Sequence, residues 1–208
     1  MAKYNLNVSI NYKKRLMMRR LILPVVAVSG LVLFTGCANK VPNYANSPQN
    51  IRAVKNLHAE EKATVNISAF KAKNEGEAKV MCRLATPVGT PDGMTFAKYV
   101  EDALTVELEM GNMLDPKSSV VLSGSLENVY GSTVLGNAYW EHTLKLTSSN
   151  GKTLERTSRY DYESSFSAYS ACSEMQRSYL PAVQKLVNDV ITDPRFKELI
   201  KNQELAKN

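Results

Sequence analysis

The chain is 208 residues long with 44% hydrophobic and 22% charged residues, which suits one ordinary domain plus an appendage and excludes a disordered tail or a multi-span membrane protein. Its formal charge of +6 hints at nucleic acid, but six of the 26 basic residues (Lys3, Lys13, Lys14, Arg15, Arg19, Arg20) fall within residues 1–36, which carry no acidic residue. The other 20 basic residues balance 20 acidic ones, so the remainder is neutral and no nucleic-acid partner is expected.

Basic residues lead into Leu21–Phe34, a stretch of 14 residues interrupted only by Pro24, Ser29 and Gly30. That is below the ~20 residues needed for a spanning helix. A charged start, a short apolar run and small residues at its end read as a secretion signal. Leu33-Phe34-Thr35-Gly36-Cys37 resembles the lipobox of bacterial lipoproteins, an aliphatic residue and two small residues before a cysteine, with Phe34 standing where the family usually has leucine. The resemblance implies a diacylglyceryl group on Cys37, cleavage just before it and acylation of the new amino terminus. Residues 1–36 are therefore expected to be a lipoprotein signal peptide, and Met17 or Met18 would start a more compact one. In that family an Asp directly after the cysteine accompanies inner-membrane retention. Ala38 and Asn39 stand here instead, which implies the periplasmic face of the outer membrane of a Gram-negative bacterium.

Ala38–Asn50 contains two prolines and four asparagines and few apolar residues, so residues 37–61 are expected to be a lipidated N-terminus and flexible tether. His58-Ala59-Glu60-Glu61 reads as a solvated helix turn. Residues 62–208 are expected to form a single periplasmic domain. Val65, Ile67 and Ala69 alternate with Thr64, Asn66 and Ser68, the pattern of a half-buried strand. Lys73–Gly76 reads as a turn and Lys79–Leu84 as a second strand carrying Cys82, after which Pro87, Gly89, Pro91 and Gly93 break the chain. Thr95 is placed to cap a helix whose apolar stripe is Phe96, Val100, Ala103, Leu104 and Leu108, closed by Gly111-Asn112 and Asp115-Pro116.

Three strands follow. Ser119–Tyr130 puts Val120, Leu122 and Leu126 on one face. Ala138–Thr147 alternates Trp140, His142, Leu144 and Leu146 against Tyr139, Glu141, Thr143 and Lys145. Asn150-Gly151 predicts a type I′ hairpin turn into Lys152–Ser164, with Leu154, Tyr160 and Tyr162 opposite Glu155, Thr157, Arg159 and Asp161. A C-terminal helix carries Cys172, Met175, Tyr179, Val183, Leu186 and Val190 in one stripe, kinked or split at Pro181, and Asp193-Pro194 caps a last short helix. The expected fold is α+β: a two-layer domain with a mostly antiparallel sheet of four to five strands and two main helices on one face. In its order of elements behind a lipidated cysteine, the chain is similar to small envelope lipoproteins. These include the lipoprotein partner of the outer-membrane lipopolysaccharide translocon and auxiliary lipoproteins of ABC lipid-transport systems. No functional residue of those families is carried over.

Groups for chemistry are scarce. His142 lies on the apolar parity of its strand, so a satisfied core residue is the simplest reading. No HExxH, paired CxxC, GxSxG or Gly-rich phosphate loop occurs. No catalytic residue, metal or cofactor is expected. Glu101, Asp102, Glu107 and Glu109 read as the wet side of the first helix, and the tyrosines from Tyr130 to Tyr179 mostly as packing. With Cys37 lipidated, Cys82 and Cys172 remain in an oxidising compartment and are expected to pair, with two buried thiols as the alternative. The expected function is a membrane-anchored module without chemistry of its own, meeting an envelope protein through the polar strand face at Tyr139, Glu141, Lys145, Arg159 and Asp161. A periplasmic hydrolase and a passive surface lipoprotein are the alternatives.

Overall fold

The computed structural model describes residues 39–84 and 86–202; the expected signal peptide and Cys37 lie outside them. Residues 39–61, expected as part of a flexible tether over 37–61, are instead folded. From Asn39 the chain is built into the domain: strand β1 (Asn39–Lys40) pairs in parallel with β5 (Thr86–Gly89), which is also antiparallel to β4 (Lys79–Cys82). Val41 is buried, and Tyr44 meets the ring of Tyr99 edge-on at 6.0 Å. Helix α1 (Pro48–Glu61) then begins with Ser47 as N-cap and proline in its first turn, and buries Asn50, Val54 and Leu57. Proline fits a first turn because its missing N–H has no helical partner there. The apolar residues of this stretch are few, yet their three- and four-residue spacing is enough for a docked face.

Pro87 does not break the chain as expected, since it sits inside β5 opposite Met81. The short β1 pairs only at Val88 and Gly89, past the proline, so the absent N–H costs no ladder bond there. The alternating stretch after Lys62 is likewise fragmented into β2 (Asn66–Ile67) and β3 (Lys71–Ala72), both parallel to β6 (Val121–Val134). Thr95 caps helix α2 (Phe96–Met110) as its side chain accepts from the Lys98 N–H.

Strand β6 pairs antiparallel with β7 (Asn137–Ser148), which pairs antiparallel with β8 (Thr153–Tyr162), giving the sheet order β2-β6-β7-β8 with β3 also on β6. The expected α+β domain with a mostly antiparallel sheet is therefore the one observed. A bulge at Glu127 separates the pairs Leu126–Leu144 and Asn128–Thr143. The extra residue reverses parity, so inward positions switch from Leu122, Gly124 and Leu126 to Val129 and Gly131. Gly131 faces Trp140, and a Cβ there would lie 2.3 Å from the Met175 methyl carbon and 2.9 Å from the Trp140 ring. The β7–β8 turn is also not type I′: Gly151 alone takes a positive φ, and the Ser148–Lys152 pair closes a three-residue loop. Asn150 instead spends its side chain on the chain end, donating to the carbonyls of Glu198, Leu199 and Lys201.

Helix α3 (Ala168–Ile191) runs unbroken through Pro181, and α4 (Phe196–Ile200) closes the described chain. Cys172 of α3 is joined to Cys82 of β4, which fastens the C-terminal helix to the small three-stranded sheet rather than to the main one. Helices α2 and α3 cover one face of the main sheet, with Phe96, Tyr99, Trp140, Leu144 and Tyr179 all fully buried between the layers. Among the described residues no helix is long and apolar enough to cross a membrane.

A candidate interaction surface on the open sheet face

Because strand side chains alternate, burying Trp140, His142 and Leu144 forces Tyr139, Glu141, Thr143 and Lys145 to the opposite face. The register sets Glu141 against Arg159, Tyr139 against Asp161 and Lys145 against Glu155. All five residues expected to meet a partner thus share one uncovered face of the sheet. Four of them are organised. The Arg159 guanidinium lies 3.6 Å from the centre of the Tyr139 ring, donates from Nε to Asp161 at 2.8 Å and donates from a terminal nitrogen to Asn137 at 2.8 Å. Tyr130 adds a second ring 5.8 Å from Tyr139. Glu141 accepts from Asn128 at 3.1 Å, and Thr143 and Thr157 share a hydrogen bond at 2.9 Å. A stacked, forked guanidinium has lost much of its rotamer freedom before any partner arrives. The face presents both charges at fixed places around two tyrosine rings.

His142 behaves otherwise. It is buried in an aromatic cluster, stacked on Trp140 at 5.9 Å and edge-on to Tyr179 at 5.4 Å. Burial holds its imidazole at a pKa of about 3, so it is neutral at ordinary pH and out of reach of solvent. Its position in the core is as expected, but among the described residues its Nε2 has no hydrogen-bond partner, nor has the Tyr179 hydroxyl. Burial also pushes the Tyr179 phenol well above its ordinary value. Of the tyrosines from Tyr130 to Tyr179 expected as packing, Tyr179 is core and Tyr160 and Tyr162 pack partly buried against the core, whereas Tyr130 and Tyr169 are exposed. Tyr99, outside that range, is also core and donates to the Pro42 carbonyl at 2.9 Å.

The first-helix acids do not form a uniformly wet side. Glu107 is fully buried, accepting from the Tyr44 hydroxyl at 2.6 Å, the Ser47 N–H at 2.6 Å and the Asn50 amide at 3.4 Å. Asn50 goes on to donate to the Gln184 carbonyl at 2.9 Å and to accept from Asn188 at 2.9 Å. A single carboxylate therefore joins α1, α2 and the segment before them, with Asn50 extending the link to α3. Glu101 is a second anchor, accepting from the Phe70 N–H at 2.7 Å and pairing with Lys98 at 2.6 Å. Sequence reading missed both because their acceptors' partners lie 31 to 63 residues away. The one visible signal was position: Glu107 stands next to Leu108 and three after Leu104, inside the apolar arc.

At the far end of β6, a groove of about 710 Å³ is lined by Glu61, Lys62, Asp115, Lys117 and Lys201 among others, a surface of mixed charge. Among the described residues no group of three or more His, Cys, Asp or Glu side chains could hold a metal ion.

No protein-family model matches the chain, and no curated protein matches it. Among solved structures it is similar to protein XCC0632 from Xanthomonas campestris, of family DUF330, at 12% identity and a TM-score of 0.45, over 70% of this chain and 89% of that one. It is also similar to the hypothetical protein CT253 from Chlamydia trachomatis, at 8% identity and a TM-score of 0.40, over 66% of this chain and 93% of that one.

Proposed function

We propose that this chain is a lipid-anchored bacterial envelope protein that acts by binding a partner protein, with Cys37 as the anchor and the open face of β6–β8 as the contact surface. The setting that goes with the lipobox is the periplasmic side of the outer membrane. The observation that carries the binding reading is the Arg159–Tyr139–Asp161 arrangement on a sheet face that no helix among the described residues covers. Arginine and tyrosine held in place at low entropic cost are the side chains that concentrate binding energy at protein interfaces.

Charge reversal tests the surface. Glu141→Arg combined with Arg159→Glu changes two partly exposed positions, where substitutions usually shift stability by less than about 0.5 kcal/mol. The double variant is expected to fold as the parent does and to lose at least one partner in crosslinking and pull-down of the lipidated protein from membranes. Normal folding with every partner retained overturns the assignment of this face. The next surface to examine would then be β8, an edge strand among the described residues, where a partner strand could add by backbone hydrogen bonds.

A further inference from the structure

One end of the domain carries large apolar side chains in solvent: Leu84 at 94%, Phe166 at 88%, Tyr169 at 85% and Val134 at 62% exposure, with Leu135 beside them. They come from three separate parts of the chain, and hydrogen bonds bring them together. In the β4–β5 turn Arg83 donates to the carbonyls of Ser165 and Phe166. Tyr162 and Ser164 donate to the carbonyls of Ser132 and Thr133, at the tip of the β6–β7 hairpin, at 2.8 and 2.9 Å. Arg83 and Leu84 both adopt left-handed backbone, φ 48° and 57°, a conformation unfavourable for side chains of their size, and it leaves Leu84 almost wholly in solvent. Surfaces of this kind mark contact sites.

Two further observations say what covers this one. Strand β1 runs parallel to β5 with Asn39 opposite Val88, so the amino-terminal end of β1 faces the side of Thr86, next to the same β4–β5 turn. Cys37 is two residues upstream and therefore within about 7 Å of Asn39 along the chain. The second observation is charge. Residues 131–140 and 164–173, the hairpin tip and the approach to α3, contain no charged side chain, whereas Glu61, Lys62, Asp115, Lys117 and Lys201 gather at the opposite end of the sheet. Arg83 is the charged side chain of the turn, with both terminal nitrogens already donating to carbonyls, and Glu163 flanks the approach to α3. A surface that loses water on docking is cheapest where few charges must be desolvated.

We propose that this end rests in the interfacial zone of the phospholipid leaflet that holds the Cys37 acyl chains, with Leu84, Leu135, Phe166 and Tyr169 among the lipid headgroups and upper acyl carbons. The proposal rests on lipidation at Cys37. It assigns the domain an orientation: the strands stand upright from the bilayer and the β7–β8 hairpin points away, about 35 Å along β7 from the membrane. Apolar side chains and tyrosine at the headgroup level are what interfacial binding uses.

The test uses the full lipidated protein in vesicles of phosphatidylethanolamine and phosphatidylglycerol. Because Cys82 and Cys172 are bridged, a new cysteine at Leu135, Phe166 or Lys152 can be labelled selectively with an environment-sensitive fluorophore. Leu135→Cys and Phe166→Cys are expected to show blue-shifted emission, quenching by doxyl-labelled lipid and protection from iodide. Lys152→Cys, at the far hairpin, should show the reverse. If labels at 135 and 166 are as open to iodide as the label at 152, in protein that has incorporated palmitate, the bilayer is not the occupant and the apolar end is free for a protein. If the protein incorporates no palmitate, the anchor reading itself falls and this orientation falls with it.

Discussion

His142 is the residue at which folding and protonation are most tightly joined. In the unfolded chain its imidazole titrates near ~6.5, while burial beside Trp140 and Tyr179 holds it at about 3 in the folded protein. The unfolded state therefore binds a proton that the folded state refuses. The stabilisation is complete above the unfolded value and is lost as pH falls towards 3, by about 1.4 kcal/mol per pH unit. Urea unfolding at a series of pH values from 7 to 4 should show that slope, and His142→Phe should flatten it. Equal slopes in the two proteins would mean that other groups carry the acid sensitivity. Asp193 adds to the same acid sensitivity in a lower window: hydrogen bonds from Arg195 favour its charged form and hold its carboxyl at about 2, so its stabilisation is present above the unfolded value and is lost as pH falls towards 2. Alternation along the strand placed His142 in the core correctly. Its missing partner could not be read that way, because satisfaction of a ring nitrogen depends on α3, which is remote in the chain. The same holds for Glu107, whose charge suggested solvent while its place beside Leu108 suggested burial.

At the scale of elements, the disulfide links a two-sheet problem to one helix. Strand β4 belongs to a small sheet of short strands, two to four residues each, which offers little pairing of its own. Cys82–Cys172 closes a loop with a sequence separation of 90, and the chain-entropy argument gives such a cross-link about 4–5 kcal/mol through the unfolded state. Replacing both cysteines by serine should lower the free energy of urea unfolding by a large part of that amount. An unchanged midpoint would show that the reduced chain keeps this region docked without help. The pairing was legible from three cysteines, one of them set aside because its surroundings resemble a lipobox. The Glu127 bulge was not, because parity on each side of it is regular and only the pairing partner shows the slip. Its effect is nevertheless decisive: it brings Gly131 under Met175 and turns Tyr130 outward to join Tyr139.

For the molecule as a whole, attachment is the property to test first. Cys37→Ser should abolish incorporation of labelled palmitate and release the protein from the membrane fraction, since several acyl chains at about 0.8 kcal/mol per buried methylene are what hold such a protein to a bilayer. A variant that stays bound and labelled would remove the lipobox reading. The local pattern of the chain was sufficient for the α+β class, the three-strand meander, both main helices with their buried stripes, and the composition of the open sheet face. These follow from periodicity, capping and turn chemistry, which act over a few residues and are written wherever they act. Long-range docking lay beyond that reach. The segment from Asn39 to Glu61 is polar enough to pass for a tether, and it is held by Val41, Tyr44 and a Glu107 carboxylate 60 residues away from Ser47. Its docking brings Asn39 to the apolar end of the domain, and that juxtaposition exists only because strands distant in sequence pair in space.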